Sequence, residues 1–402
     1  MTAEEQLERL TQTAVHVETQ EELLEKLRRG RPLRVKAGFD PSAPNIHIGH
    51  SIPLDVMRTF QELGHMVVLI VGDFTARIGD PSGKIRTRPA LTREQVDAAA
   101  RTYFAQVGKI IDVHKAEVRG NSEWLDSLDF ADVLKLASSY TVARMLERDT
   151  FALRMEREEP ITITEMLYPL AQGYDSVAVE ADVELGGTDQ LFNLLVGRDV
   201  QRFYGQEPQV IMTFPLLVGT DGKEKMSSSI GNVVAIAEPP DAMFGKLMSI
   251  SDETMLQYYE LLLRTPAEEL ARMKRGIADR ALNPRDLKLD LAERITVRYH
   301  SEEAARAARE DFLRQFSQGE LPSDMPTVTL GPDELQDGQI LLSRLVVKCD
   351  PSLSNSQARR LITQGAVELN GQRVTDPLLL VMPESGSVLR VGKRRYARIE
   401  RH

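Results

Sequence analysis

Apolar and polar positions alternate along residues 1–235 in blocks that fit strands and helices in turn. Compact apolar runs rich in β-branched residues, MVVLIVGDF (66–74) and VIMTFPLLVG (210–219), are typical of buried strands. Other segments, such as SIPLDVMRTFQELG (51–64), carry apolar residues at helical spacing. Strands that alternate with helices in this way predict an α/β fold with a mostly parallel sheet.

The pattern changes after residue 235. From Asp241 to Phe316 apolar residues recur at helical spacing without strand-like runs, as in RDLKLDLAERITVRYH, which predicts an all-helical unit. The polar, proline-bearing stretch SQGELPSDMPTVTLGPDELQDG that follows is typical of a linker. We therefore divide the chain into segments 1–235, 236–318, 319–338 and 339–402.

Charge sharpens this division. The 402 residues are too many for one ordinary domain, and 60 acidic against 50 basic residues give a formal net charge of −10. A uniformly cationic nucleic-acid or membrane binder is thereby excluded. Residues 339–402 nevertheless carry 11 Lys or Arg against 5 Asp or Glu, a net charge of +6, which leaves −16 for residues 1–338. The carboxyl-terminal segment is predicted to be a separate basic module.

Cysteine usage and the distribution of apolar residues indicate the cytoplasm. The single cysteine, Cys349, can form neither an internal disulfide nor a thiolate cluster, which fits a reducing compartment. The amino terminus is charged, and no stretch approaches the roughly 18 apolar residues of a membrane span. The seven histidines are scattered, so no tightly bound metal is expected.

The first segment with candidate chemistry is VKAGFDPSAPNIHIGHS (35–51). It is an apolar run followed by a turn and by a helix predicted to open near Pro44 or Asn45, an arrangement that aims backbone N–H groups at an anion. On such a helix His47 and His50 share one face, with Gly49 leaving room for a flat ligand. Two surface histidines near a helix start remain the simpler explanation of the pair by itself.

Two glycine-rich loops carry cations. VGDFTARIGDPSGKIRTRP (71–89) leaves a strand and brings Lys84, Arg86 and Arg88 close behind its glycines, which suits phosphate or tRNA-end contacts. It matches neither the Walker nor the dinucleotide pattern, and alone it is more often a turn. GTDGKEKMSSSIGN (219–232) places Lys225 in a loop that either closes over phosphates or serves as a flexible linker.

A polar stripe is predicted on the helix within TEMLYPLAQGYDSVAVEADVELGGTDQLFN (164–193). Tyr168, Gln172 and Asp175 lie at helical spacing and so share one face. A stripe of this kind is either a solvated face or, because its neighbours are apolar, the lining of a pocket for a hydroxylated aromatic ligand.

These segments together resemble a known family. HIGH (47–50) ahead of KMSSS (225–229) resembles the paired signatures of class I aminoacyl-tRNA synthetases, and Tyr-x-x-x-Gln-x-x-Asp with GGTDQ resembles the bacterial tyrosyl-tRNA synthetases. The resemblance extends from GFDPSAPNIHIGH through GDPSGK to the basic tail. It implies that the tyrosine carboxylate attacks the α-phosphate of Mg²⁺-bound ATP, and that the tyrosyl-adenylate then esterifies the terminal adenosine of the tRNA for tyrosine.

The resemblance also implies an architecture. Residues 1–235 would form a Rossmann-like catalytic domain with a parallel sheet, an inserted helical connective region and the KMSSS loop. Residues 236–318 would be an all-helical anticodon-side domain, 319–338 a linker, and 339–402 a small α+β RNA-binding domain of the S-four-like type. A cytoplasmic homodimer is expected.

Site residues follow from the resemblance, position by position. His47, His50 and Lys225 would be catalytic, stabilising the phosphates in the transition state. The ATP site would comprise these three with Gly38, Asp40, Ser42, Gly49, Gly187, Asp189, Met226, Ser227 and Ser228. Tyrosine would be held by Lys36, Asp80, Asn121, Tyr168, Gln172, Asp175 and Gln190, with Asp175 accepting the phenol. Contacts with tRNA would come from Lys84, Arg88, Lys348, Arg359, Arg360, Lys393, Arg394 and Arg395.

Two positions depart from the family pattern. Lys36 stands where many members carry a tyrosine that contacts the phenol, and we expect it to donate to the phenol oxygen or to pair with Asp175. Ser228 stands where other members carry a second loop lysine, so the loop serines are expected to donate in its place.

Two other functions share part of this pattern. The related tryptophan enzyme shares the signature loops but should lack the phenol-accepting arrangement of Asp175. A non-catalytic RNA-binding protein could keep the same scaffold, but intact His47, His50, Lys225 and Asp175 favour a working ligase.

Overall fold

The computed structural model describes residues 1–40, 46–80, 102–103, 105–317, 325–331, 334–335, 338–351, 353–392 and 395–401. The chain folds into two units, Met1–Ala305 and Arg306–His402. The predicted boundaries at residues 235, 318 and 338 do not coincide with this division and stay predictions.

A six-stranded sheet forms the centre of the first unit and confirms the predicted α/β fold. Its strand order is β1-β6-β5-β2-β3-β4, and each neighbouring pair is parallel except β1 with β6. The strands are β1 His16–Glu18, β2 Arg34–Phe39, β3 Met66–Val71, β4 Ala116–Gly120, β5 Val183–Gly187 and β6 Val210–Phe214. The chain reverses its direction of winding between β2 and β5, so their carboxyl ends flank a crevice in which ligands of such sheets bind.

Helices surround this sheet, and β-branched residues build its buried strands. Strand β3 is almost wholly buried, as expected of a parallel strand covered on both faces. The helix Ser51–Glu62 covers the sheet with an apolar face that includes Leu54, Met57 and Phe60. Among the described residues before 235, the α-helices include Ala3–Thr11, Gln20–Arg28, Ser51–Glu62, Ser122–Leu125, Phe130–Ala137, Val142–Met145, Asp149–Glu156, Ile163–Ala178 and Leu191–Phe203.

Single 3-10 turns adjoin several of these elements, at Ile48–His50, Thr75–Arg77, Val113–Lys115 and Thr188–Gln190. One of them differs from the prediction that both histidines lie on a helix: His47 is extended, Ile48–His50 is a 3-10 turn, and the α-helix begins at Ser51. The predicted helix start, Pro44 or Asn45, lies outside the described residues.

The predicted helical stretch is confirmed. Its helices are Pro240–Met248, Asp252–Leu261, Ala267–Ala278, Pro284–Tyr299 and Glu302–Ser317. Proline at the first helical position begins two of them, where the missing N–H costs no hydrogen bond. Among the helices of the described residues, none has the length and apolar character needed to cross a membrane.

The second unit is small and strand-rich. Its larger sheet has the order β10-β9-β12-β13-β7, and β8 pairs with β11. The strands are β7 Thr327–Leu330, β8 Ile340–Leu341, β9 Val367–Leu369, β10 Gln372–Val374, β11 Leu380–Val381, β12 Val388–Val391 and β13 Arg395–Arg401. The helices Leu342–Cys349 and Asn355–Thr363 contribute Leu345 and Ile362 to its core.

Two local features of this unit follow from its sequence. The helix within SNSQARRLI begins after Ser354, which forms a capping box with Gln357, and the Asn-Gly turn that joins β9 to β10 has positive φ at Asn370 and Gly371. Strand β7 lies inside the predicted linker and pairs with β13 in parallel. Its Thr-Val-Thr run favours a strand, which the polar and proline-bearing flanks concealed.

Candidate active site

Asp40, directly after β2, connects the carboxyl end of that strand to the helix Ile163–Ala178, which we call the pocket helix. The Tyr168 hydroxyl donates to Asp40 Oδ2 at 2.8 Å, and Thr75 Oγ1 donates to Asp40 Oδ1 at 2.8 Å. Burial raises the pKa of Asp40 to about 6, although these two hydrogen bonds act in the opposite direction. Gly38, within β2, is exposed beside this cluster.

The predicted polar stripe faces this end of the sheet, and Asp175 is its most buried member. Only 3% of Asp175 is exposed, and its carboxylate accepts from Trp124 Nε1 at 2.8 Å and from Asn121 Nδ2 at 3.3 Å. Burial raises the pKa of Asp175 to about 7, while the charge of Lys36 and the two hydrogen bonds lower it. The Asn121 amide cannot turn, because its Oδ1 accepts from Phe74 N at 2.9 Å.

Trp124 is a site residue that the sequence did not single out. It is the only tryptophan of the chain and follows Asn121 by three residues at the start of a short helix. Its indole N–H gives Asp175 a neutral donor in a buried place, so the carboxylate needs no direct cation.

Three side-chain amides form a chain of hydrogen bonds beside the stripe. Asn193 Nδ2 donates to Gln172 Oε1 and to Gln190 Oε1, each at 3.0 Å, and Gln190 Nε2 donates to Asp80 Oδ2 at 2.8 Å. Asp80 also pairs with the buried Arg148 at 3.4 Å. The structure therefore connects Gln172, Gln190 and Asp80 through Asn193, which the sequence did not indicate.

Lys36 lies in the same region but differs from one expectation. Its ammonium donates to Gln172 O at 3.0 Å and to Ser176 Oγ at 2.7 Å, and it pairs with Glu184 Oε1 at 3.0 Å. The expected pairing with Asp175 is thus wrong, because Lys36 and Glu184 are neighbours in register on β2 and β5. All three ammonium hydrogens already have protein acceptors.

The two histidines meet as a stacked pair. Their ring centroids are 3.8 Å apart, and the backbone N–H of His47 donates to His50 Nδ1 at 3.3 Å. That bond requires the proton of a neutral His50 to sit on Nε2. Burial lowers the pKa of His47 to about 2 and of His50 to about 4, so both rings are neutral near pH 7. Gly49 is needed beside them, since a Cβ there would lie 3.0 Å from His47 Nδ1.

The loop GTDGKEKMSSSIGN reaches the carboxyl end of β5 through one ion pair. Lys225 Nζ lies 2.8 Å from Asp189 Oδ2, and both side chains are partly exposed. At neighbouring Gly187 a Cβ would come within 2.9 Å of Leu216 Cδ2, so the strand end requires glycine. Met226 is buried and anchors the loop, whereas Ser228 is exposed.

Asn232, also missed by the sequence, holds this loop together. Its Oδ1 accepts from Ser227 N at 2.8 Å, and its Nδ2 donates to Asp221 Oδ2 at 2.9 Å and to Lys225 O at 3.2 Å. Only 5% of Asn232 is exposed, so its side chain is an internal brace of the loop.

The predicted tRNA contacts differ in their surroundings. Arg359 and Arg360 are exposed on the helix Asn355–Thr363, while Lys348 pairs with Glu334 and Arg395 with Asp350. Four further tRNA candidates lie outside the described residues: Lys84, Arg88, Lys393 and Arg394. Ser42, a candidate for the ATP site, lies outside them as well. Within the described part of the chain, no group of three or more His, Cys, Asp or Glu side chains is arranged to hold a metal ion.

Comparison with protein families covers both units. Residues 28–317 match the family described as tRNA synthetases class I (W and Y), and residues 315–399 match the Tyrosine--tRNA ligase SYY-like C-terminal domain. The Tyrosine--tRNA ligase of Thermotoga maritima is 52% identical over 399 residues, which are 99% of this chain and 98% of that protein. That of Moorella thermoacetica is 52% identical over 98% of this chain and 95% of its own.

Solved structures share the fold at lower identity. The tyrosyl-tRNA synthetase from Aeropyrum pernix has a TM-score of 0.63 and 23% identity, covering 77% of this chain and 98% of its own. The Archaeoglobus fulgidus enzyme complexed with L-tyrosine has a TM-score of 0.63 and 24% identity, covering 76% of this chain and 99% of its own.

Proposed function

The chain belongs to the tyrosine–tRNA ligases of the class I tRNA synthetase family, and we propose that the crevice between β2 and β5 carries out their reaction. The enzyme activates L-tyrosine with ATP to tyrosyl-adenylate and pyrophosphate, and then transfers tyrosine to the 3′-terminal adenosine of its tRNA. The observation that supports the placement best is Asp175, a buried carboxylate with two neutral donors at the foot of the predicted polar stripe.

Tyrosine would lie along the pocket helix. Asp175 would accept the phenol hydroxyl while Asn121 keeps it oriented, and Tyr168, Gln172, Gln190 and Asp80 would surround the ammonium. Phenylalanine offers no hydroxyl, so it would leave the buried carboxylate without this donor, and tyrosyl-tRNA synthetases are the standard example of such discrimination. Lys36 would support the pocket from beneath.

ATP would lie across the carboxyl ends of β2 and β5. Its site would be formed by Gly38, Asp40, Ser42, Gly49, Gly187, Asp189, Met226, Ser227 and Ser228 with the catalytic residues. His47 and His50, as neutral donors, would stabilise the charge that develops on the phosphates. Lys225 would leave its ion pair with Asp189 and contact the leaving pyrophosphate instead. This requires only a small movement, because both side chains of the pair are partly exposed. Mg²⁺ would arrive with the nucleotide.

The second unit would bind the tRNA in the cytoplasm. The net charge of +6 on residues 339–402 and the exposed Arg359 and Arg360 suit phosphate contacts, together with Lys348, Arg395 and the residues 84, 88, 393 and 394. Lys348 and Arg395 would first have to leave the acidic partners they now contact.

The enzyme would act as a homodimer. Large apolar side chains stay exposed in one stretch of the first unit, a feature that marks interaction surfaces: Phe130, Leu134, Val142, Leu153, Met155 and Ile163. Sedimentation equilibrium should give twice the chain mass of 45.1 kDa, and a monomer at micromolar concentration would contradict this proposal.

Tyrosine-dependent exchange of pyrophosphate into ATP tests the first step of the function. Exchange should require tyrosine and should not respond to tryptophan or phenylalanine at the same concentration. Charging of tRNA with labelled tyrosine then tests the second step. Protein that binds tRNA but shows no tyrosine-dependent exchange would contradict the ligase assignment.

A further inference from the structure

Two opposite charges lie side by side in the central sheet beneath the pocket helix. Lys36 on β2 and Glu184 on β5 are register partners, so their side chains leave the same face of the sheet. Each residue is 1% exposed, and Lys36 Nζ lies 3.0 Å from Glu184 Oε1. Buried strands of parallel sheets are normally apolar throughout, so this pair requires a reason.

Stability alone does not supply that reason. Removing two charges from water is costly, and replacing a buried ion pair by well-packed apolar side chains is often neutral or stabilising. The pair does have a second set of contacts, which an apolar pair could not make. The Glu184 carboxylate also accepts from Gln172 Nε2 at 3.1 Å, from Ser176 Oγ at 3.2 Å and from Gln209 Nε2.

The contact with Gln172 fixes the direction of its amide. An ionised carboxylate accepts hydrogen bonds and cannot donate one, so the NH₂ end of Gln172 must face Glu184. Gln172 Oε1 is then left to accept from Asn193, whose other amide hydrogen goes to Gln190. The chain of bonds ends at a second acceptor, Asp80.

A chain with a carboxylate at each end allows one orientation for every amide between them. If Glu184 became an amide, that end of the chain could donate as well as accept, and Gln172 could turn over at the cost of its bond from Asn193. Gln190 would stay oriented by Asp80. The Lys36 ammonium lies 3.0 Å from the same carboxylate and can only donate to it, so this end of the chain is an acceptor.

We propose that Glu184 is a positioning residue for the substrate tyrosine, which orients the Gln172 amide before tyrosine arrives. This inference rests on the proposed function, which places that amide beside the tyrosine ammonium. Glu184 acts through Gln172 rather than by touching the substrate. Because preorganised groups reduce the cost of binding, its loss should weaken tyrosine binding more than the chemical step.

Glu184→Gln tests the proposal with little change in volume. We expect the Kd and KM for tyrosine to rise about tenfold or more, with kcat for exchange and KM for ATP within about twofold of wild type, as for an interaction made equally in ground and transition state. Tyrosine binding can be followed without ATP, because Trp124, the only tryptophan, donates to Asp175 in the pocket.

A second variant separates orientation from charge. Glu184→Gln also leaves the buried Lys36 ammonium without its counter-ion, which by itself could disturb the pocket. The double variant Lys36→Met, Glu184→Gln removes both charges. It also lacks the Glu184 carboxylate, which only accepts hydrogen bonds and so orients Gln172. The Kd for tyrosine should therefore stay raised. A return to wild-type affinity would overturn the orientation role.

Gln201→Met is the matched control for loss of a buried polar group. Gln201 is also 1% exposed, accepts from Gln209 N at 2.7 Å and donates to Ala181 O at 2.9 Å, but contacts neither pocket amide. It should lower the thermal unfolding temperature without changing the Kd for tyrosine. If Glu184→Gln does only the same, the inference alone is overturned. Wild-type protein that binds no tyrosine would overturn the proposed function as well.

Discussion

Among single residues, two carboxyl groups of the pocket have a raised pKa, and burial is the main cause in both. Burial raises the pKa of Asp40 to about 6 and that of Asp175 to about 7. Asn121 Nδ2 lies within hydrogen-bond distance of both Asp175 and Thr75 Oγ1, and Thr75 donates to Asp40. Their partners are neutral donors, so each carboxylate can accept a further donor from a ligand.

Asp175 should make the stability of the protein depend on pH. Its folded-state pKa of about 7 lies above the ordinary 3.8, so this group's contribution is full below about pH 4 and is lost as the pH rises through about 7. Relative to Asp175→Asn, wild type should lose up to about 4 kcal/mol of unfolding free energy between pH 4 and pH 8. Each pH unit between the unfolded-state and folded-state pKa values contributes about 1.4 kcal/mol.

Urea unfolding followed by Trp124 fluorescence at several pH values measures this difference. Asp132→Asn, at an exposed helix position, controls for the loss of a surface carboxylate. A difference between wild type and Asp175→Asn that stays constant over this range would show that Asp175 titrates at its ordinary pKa.

At this scale the sequence predicted those residues whose neighbours are local. Tyr168, Gln172 and Asp175 share a face because helical periodicity alone decides it. The partner of Lys36 could not be predicted, because it depends on the register of two strands that are distant in the chain. Trp124 was missed for a similar reason, since its indole reaches Asp175 on another helix.

Among the elements, the KMSSS loop is more ordered than its glycines and serines suggest. Asn232 makes side-chain bonds to Ser227, Asp221 and Lys225, and so determines where the lysine backbone lies. All of these contacts lie within residues 219–232, so the brace acts on the loop rather than on the tyrosine pocket.

Asn232→Ala should therefore impair catalysis without impairing tyrosine binding. We expect kcat for pyrophosphate exchange to fall roughly tenfold, because a loosely held Lys225 spends less time in the reactive geometry. Steady-state exchange and the Trp124 titration measure the two quantities. Asn283→Ala, which removes the cap of another helix, is the control and should leave kcat unchanged. Equal loss in both variants would contradict the role given to Asn232.

The start of the histidine segment shows where element prediction fails. Spacing of three predicted one helix face for His47 and His50, and the rings do meet. They meet through an extended residue and one 3-10 turn, which place i and i+3 in line as effectively as an α-helix does. Periodicity could not distinguish these two backbones.

For the whole molecule, the charge split coincides broadly with the split into two folded units. The basic residues 339–402 fall in the second unit, where Arg359 and Arg360 project from a helix that is capped by Ser354. Residues 1–338 carry the acidic excess, a net charge of −16. If the second unit binds the tRNA as proposed, we expect that tRNA affinity can change without any change in tyrosine activation.

The double variant Arg359→Gln, Arg360→Gln tests that separation. The KM for tRNA should rise, and the slope of log affinity against log salt concentration should become shallower by about 1 to 2. Each phosphate contact that is lost reduces the slope by somewhat less than 1. Tyrosine-dependent exchange should be unchanged. Arg157→Gln removes an exposed cation of the first unit outside the expected anticodon-side segment 236–318, and it should leave tRNA charging as it is. An unchanged salt slope would contradict phosphate contact by Arg359 and Arg360.

At this scale the sequence predicted the α/β part and the helical stretch that follows it, because periodicity and composition average over many residues. It missed β7, whose four residues are too few to alter the composition of a polar segment. Strand β7 is fixed by its parallel partner β13 near the end of the chain, which no local pattern reveals.

The buried pair of Lys36 and Glu184 limits how this pocket can be redesigned. The family pattern would suggest a library that randomises position 36 alone. Most of its proteins would keep the buried Glu184 carboxylate without its counter-ion. Substitutions at positions 36, 172, 176 and 184 are expected to be non-additive, because their side chains share hydrogen bonds. Variants for other amino acids should therefore be selected from combinations of these four positions.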